Sequence, residues 1–101
     1  MEFNLVTKIE KAHYSKLSQL GCIVCLREGF GYSPPHIHHI RTGQGMAQRA
    51  DYLDAIPLCP NHHQNGGYGV ALHAGQGKFE SRFGTEIELL KHTKRLIGIE
   101  S

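Results

Sequence analysis

Residues 59–63 read Cys-Pro-Asn-His-His, and what this stretch holds decides what kind of domain the chain forms. Cys59 and His62 stand at a C-x-x-H spacing, and Cys22 and Cys25, in the earlier "CIVC", stand at a C-x-x-C spacing. A two-residue gap lets the backbone turn back, so that both side chains of a pair reach one ion. Two such pairs supply the four ligands of a closed tetrahedral Zn²⁺ site. With no open position left, the zinc expected on Cys22, Cys25, Cys59 and His62 is structural. His63 is the alternative fourth ligand. A redox C-x-x-C is the competing use of the first pair, but it leaves Cys59 and its own histidine unexplained.

Working outward, the pattern predicts α+β elements. Ile9, Ala12, Leu17 and Leu20 recur at helical spacing between Thr7 and Leu20, and Gly21 follows as a stop. Residues 26–35, "LREGFGYSPP", read as a loop whose prolines favour an extended exit. "HIHHI" at 36–40 and "YLDAIPLC" at 52–59 read as two strands joined through "RTGQGMAQRA", a two-stranded hairpin over 36–58 with a long tip. Residues 64–77 hold five of the twelve glycines and are expected to be irregular. "KFESRF" suggests a short helix. Thr85 and Glu88 form a T-x-x-E capping box that opens a last helix through Leu89, Leu90, Leu96 and Ile97. No repeat or linker divides the chain, so residues 1–101 are expected to form a single domain.

The composition narrows the function classes. A chain of 101 residues and 11.3 kDa buries only about two thirds of its unfolded surface, so a metal staple would help it fold. Its net charge of +2 and pI near 8.5 permit nucleic-acid binding without demanding it. No stretch is apolar enough to span a bilayer, and "MEFNLVTKIEK" lacks the apolar core of a signal peptide. Three cysteines exclude a fully paired disulfide framework, which makes a cytoplasmic protein with reduced thiols the simplest expectation.

Five of the eight histidines fall in 36–40 and 62–63. Imidazole is the commonest protein ligand for metals. On a strand, His38 and His39 point to opposite faces, so one can bind an ion while the other lies near it unligated. That division suits phosphodiester hydrolysis, in which a cation neutralises phosphate charge and a neutral imidazole takes a proton from water. His36 shares the face of His38, as an extra ligand, an orienter or a plain loop residue. His13 and His92, on helices, are expected to be solvated. Arg41, Arg49, Lys78, Arg82 and Lys91 are candidates for phosphate contacts.

In order, "CIVC", "IHHI" and "LDAIPLCPNHH" resemble the motif of the HNH, or ββα-metal, nuclease superfamily. The following "ALHAGQGKFESRFGTEIELL" resembles the narrower Ref-type group of phage recombination-enhancement nucleases, which cut DNA in dependence on RecA filaments. The likeness spans about residues 21–90. It implies a small zinc-stapled, treble-clef-like ββα-metal domain that acts as an endonuclease on DNA with little sequence preference. It implies that His38, His63 and His73 hold a catalytic divalent metal (Mg²⁺, Mn²⁺ or Zn²⁺) and that His39 is the general base. Asp54 falls where the superfamily has an asparagine that fixes the hairpin, and an ionised aspartate accepts hydrogen bonds without donating them. The resemblance further implies DNA as substrate, a RecA nucleoprotein filament as partner, and a phage or prophage product in a bacterial cytoplasm. This stretch starts almost at the first helix, without the long basic N-terminal extension of some phage relatives, so autonomous DNA binding is not expected. With a RecA filament presenting the substrate, the resemblance implies that naked DNA is cut poorly or not at all. A non-catalytic zinc-binding module for nucleic acid or protein is the alternative; it would use Cys22, Cys25, Cys59 and His62 and leave "IHHI" and His63 without a role.

Overall fold

The computed structural model describes residues 8–40 and 51–98. Helix α1 spans Lys8–Leu20, α2 Ile23–Arg27, α3 Gln76–Phe83 and α4 Glu86–Leu96. Strand β1 is His36–His39 and β2 is Ala55–Leu58, paired antiparallel with His36 opposite Leu58 and His39 opposite Ala55. The architecture is α+β, as the sequence pattern predicts. The hairpin tip at 41–50, with Arg41 and Arg49, lies outside the described residues.

The hairpin lies between two helical layers. β2 is buried along its whole length, and α1, α2 and α4 all pack against it. A strand covered on both faces reads as a continuous apolar run, which Ala-Ile-Pro-Leu is. Pro57 has no N–H to donate, and a two-stranded sheet tolerates it because β2 has one unpaired side. Ile56, Leu58, Phe79 and Leu89 are fully buried, each contributing about 1.5–3 kcal/mol by leaving water. Among the described residues no helix is long and apolar enough to cross a membrane.

Several local readings change. The face that α1 buries carries His13 and Leu17, with Leu20 half-buried; Ile9 and Ala12 are exposed. Positions 13, 17 and 20 are four and three apart, a helical stripe that a hydrophobic reading passes over because its first member is histidine. His13 is therefore not solvated. Burial, helped by Lys16 and Lys94, lowers its pKa and keeps the ring neutral. His92 is half-buried, and its Nδ1 accepts from Arg27 Nη1 at 3.3 Å. Leu26 and Arg27, read as loop, close α2, a five-residue turn held by Cys22 as its N-cap. Finally, residues 51–54 wind into a 3₁₀ turn before β2, and α3 begins at Gln76, inside the stretch expected to be irregular.

The capping box forms as read: Glu88 N–H donates to Thr85 Oγ1 at 3.1 Å and Thr85 N–H donates to Glu88 Oε1 at 2.8 Å. Gly21, at φ +86°, ends α1, and the Tyr32 ring packs so close that a Cβ there would meet it at 2.6 Å.

Candidate metal centres

Both histidine clusters grow from one short turn. After β2, Asn61–Asn65 makes a single wide helical turn, closed by Gly66 N–H donating to the Asn61 carbonyl at 2.9 Å. Successive residues on such a turn diverge by roughly 80–100°. His62 therefore turns into the core and His63 turns toward the hairpin.

His62 joins Cys22, Cys25 and Cys59, and all four are buried. Its Nδ1 lies 3.5, 3.6 and 3.3 Å from the sulfurs of Cys22, Cys25 and Cys59, and the Cys25 and Cys59 sulfurs are 3.8 Å apart. A tetrahedral zinc with sulfur at about 2.3 Å and nitrogen at about 2.05 Å separates its donors by about 3.8 Å (S to S) and about 3.5 Å (S to N). The four donors thus fit a metal ion such as zinc. Burial pushes the Cys22 thiol up to about 12, so without a cation it stays protonated at neutral pH. The Cys25 N–H donates to Cys22 Sγ at 3.4 Å, and Ser33 Oγ donates to Cys25 Sγ at 3.3 Å; these donors favour sulfur that carries charge. Burial lowers the pKa of His62 and keeps its lone pair available. No two of the three thiols are joined in a disulfide.

The second cluster gathers His38 from β1, His63 from the turn and His73 from a 3₁₀ turn at Leu72–Ala74. One ligand atom from each lies within 4.8 Å of the others. The Nε2 atoms of His63 and His73 are 3.1 Å apart, within the roughly 3.0–3.4 Å that separates two nitrogens sharing one ion at 2.1 Å. His38 and His63 are half-buried and His73 is exposed, so the group opens to solvent. Burial lowers His63 to about 4, aided by the charges of His38, His73 and His36. Burial also lowers His38, against the opposing pull of Glu86. At neutral pH these two rings are uncharged, as a metal ligand must be.

The remaining candidates are placed apart from this group. His39 turns to the other face of β1, where its Nε2 lies 3.1 Å from the Tyr14 hydroxyl of α1. It stays close enough to His38 for its charge to lower that ring. The Asp54 carbonyl accepts from Ile40 N–H at 2.9 Å, so its backbone fastens the strand just after His39. Arg82 donates to the Gly69 carbonyl at 2.6 Å and lies 5.0 Å over the Phe83 ring, which ties it into the fold. Lys78 and Lys91 are exposed.

Two neighbours escaped the sequence reading. Glu86, buried at the start of α4, places Oε2 2.6 Å from His38 Nε2. An acidic residue in the first turn of a helix looks like an ordinary partner for the helix dipole, so the sequence carried no signal for this role. Tyr14 likewise looked like one more residue of an amphipathic helix.

A family model described as recombination enhancement, RecA-dependent nuclease matches residues 6–98. No curated protein matches the chain.

Proposed function

The chain belongs to the recombination-enhancement, RecA-dependent nuclease family, and from that premise we propose that it is a metal-dependent endonuclease of the HNH, ββα-metal type. Its substrate is DNA presented by a RecA nucleoprotein filament, in the cytoplasm of a bacterium hosting a phage or prophage. The observation that carries the metal-dependent reading is the trio His38, His63 and His73, three imidazoles with ligand atoms within 4.8 Å at a solvent-open edge.

In this reading Cys22, Cys25, Cys59 and His62 hold a structural zinc that ties α2 to the end of the hairpin. His38, His63 and His73 hold a second divalent ion and leave it open to substrate. That ion, when bound, supplies positive charge to the phosphate and the departing 3′ oxygen. His39 acts as general base. With Nε2–H donated to the Tyr14 hydroxyl, its Nδ1 is free to take a proton from the attacking water. Asp54 positions His39 through the backbone bond that follows it. The scissile phosphate would lie across β1, with the ion on one face and His39 on the other.

The test is cleavage of duplex DNA by the full chain with Mg²⁺ or Mn²⁺, with and without RecA filaments and ATP. Wild type is expected to cut, most strongly with RecA, and His39→Ala to lose about 10²–10⁴-fold in rate while keeping its zinc and its melting temperature. Wild-type cleavage by His39→Ala would remove His39 as the base. No cleavage by wild type under any of these conditions would leave a zinc-stapled binding module.

A further inference from the structure

Each of two imidazoles in the second cluster has one nitrogen already engaged by a neighbour outside the trio. His38 meets Glu86 through Nε2 at 2.6 Å. Two donors on one ion lie about 3 Å apart, so this shorter contact is a hydrogen bond between ring and carboxylate, with His38 donating. Glu86 is itself held: Gln76 Nε2 donates to its Oε1 at 3.4 Å, and the residue is only 5% exposed. His63 meets His36 through Nδ1, nitrogen to nitrogen, at 3.2 Å. That distance would also suit two ligands, but the set whose ligand atoms all lie within 4.8 Å of one another is His38, His63 and His73, and Nε2 of His63 is 3.1 Å from His73.

We infer that Glu86 and His36 are positioning residues that select which nitrogen each metal ligand presents: Nδ1 from His38, Nε2 from His63 and Nε2 from His73. This deepens the proposed function and rests on its assignment of these three imidazoles to a metal. An imidazole has two similar nitrogens, and the one that binds is decided by the hydrogen bond the other makes. Glu86 accepts Nε2–H from His38 and so turns its Nδ1 lone pair toward the cluster. His36 accepts Nδ1–H from His63 and does the same for Nε2. His36 thereby acquires a use without being a ligand, and the "TE" that opens α4 acquires one beyond the cap.

The experiment uses the full chain with zinc at the thiol cluster and Co²⁺ as probe of the second site, its affinity measured by competition with a chromophoric chelator. Wild type should take up one Co²⁺, and His73→Ala should abolish that uptake. Glu86→Ala and His36→Phe should each weaken Co²⁺ binding about 10- to 100-fold. Glu86→Gln keeps an acceptor oxygen and should recover most of the loss. Proton–nitrogen correlation NMR of the wild-type chain with zinc at both sites should find the proton of His38 on Nε2 and that of His63 on Nδ1, a signature that a role in packing alone would not set. The opposite tautomers, or Co²⁺ affinity within twofold of wild type in His36→Phe and in a folded Glu86→Ala, would overturn the inference and leave the metal site standing. Should Glu86→Ala not fold, His36→Phe and the wild-type tautomers still decide. A wild-type chain that takes up no second ion would instead remove the site itself, and the inference with it.

Discussion

Cys22, Cys25, Cys59 and His62 form a closed group, and His38, His63 and His73 form an open one, although His62 and His63 are neighbours in the chain. The closed group is buried, brings four donors to tetrahedral separations, and draws on α2 and the end of β2. The open group brings three donors, one of them exposed, from β1 and two short turns. Four soft donors in a dry core saturate an ion and convert its binding into folding energy. Three imidazoles at a wet edge leave coordination free for a substrate. Under the proposed function, the same side-chain type serves stability at one position and chemistry at the next, according to which way one helical turn aims it.

Substituting the neighbours one at a time is the sharpest way to break this contrast. Structural zinc sites hold about 10–16 kcal/mol of apparent binding energy, against a whole-domain stability of about 5–15 kcal/mol. His62→Ala is therefore expected to abolish the cooperative thermal transition, followed by circular dichroism, and to lower zinc content. His63→Ala should keep that transition and the first zinc and lose the second ion with cleavage. Equal melting of the two variants would dissolve the distinction between the clusters.

The packing around the closed group comes next in size. The Phe83 ring meets His62 edge-on at 5.1 Å and Phe79 at 5.0 Å. Phe83→Ala should cost about 3–5 kcal/mol in denaturant titration, with the second-ion affinity unchanged.

Acid should then separate the two groups by a smaller margin. His63 is held down to about 4 from its ordinary 6.5, so between those values the unfolded chain binds more protons than the folded one. Its contribution to stability is fully present above pH 6.5 and is lost as the pH falls toward 4. In protein stripped of the second ion, denaturant midpoints should drop between pH 6.5 and 4, and drop less in His63→Ala. An unchanged slope in that variant would show that the imidazole is not held neutral.

The smallest effect is expected at the start of α4. Thr85→Ala removes one half of the capping box and should cost about 1 kcal/mol, read from the denaturant midpoint. Because Glu86 follows at the first position of α4, the same variant should also weaken second-ion binding slightly; no change in affinity would mean that the cap serves the helix alone.

Much of this was legible in the chain. The C-x-x-C and C-x-x-H spacings and the T-x-x-E box are short-range signals, set by backbone geometry over three or four residues, and each forms where it was read. The two strands also pair, although the second starts at Ala55, after a 3₁₀ turn, and not at Tyr52. Features that escaped depend on what arrives from elsewhere in the sequence. His13 looked like a solvated helix residue until α1 turned that face to the core. Leu26 and Arg27 looked like loop because α2 is one turn long and owes its start to the Cys22 cap. Glu86 and Tyr14 carry no local mark, since their partners His38 and His39 lie 48 and 25 residues away.

By itself, then, the sequence determined the donor pairs, the elements that carry them and the alternation that sends His38 and His39 to opposite faces of a strand. Only the tertiary structure decided that His62 closes the thiol group, that His63 meets His38 and His73, and that Glu86 and Tyr14 cover the two adjacent histidines. The physical reason is reach: ligand spacing is written in local backbone geometry, whereas the convergence of rings from β1 and two separate turns requires the hairpin to be packed between α1 and α4 first.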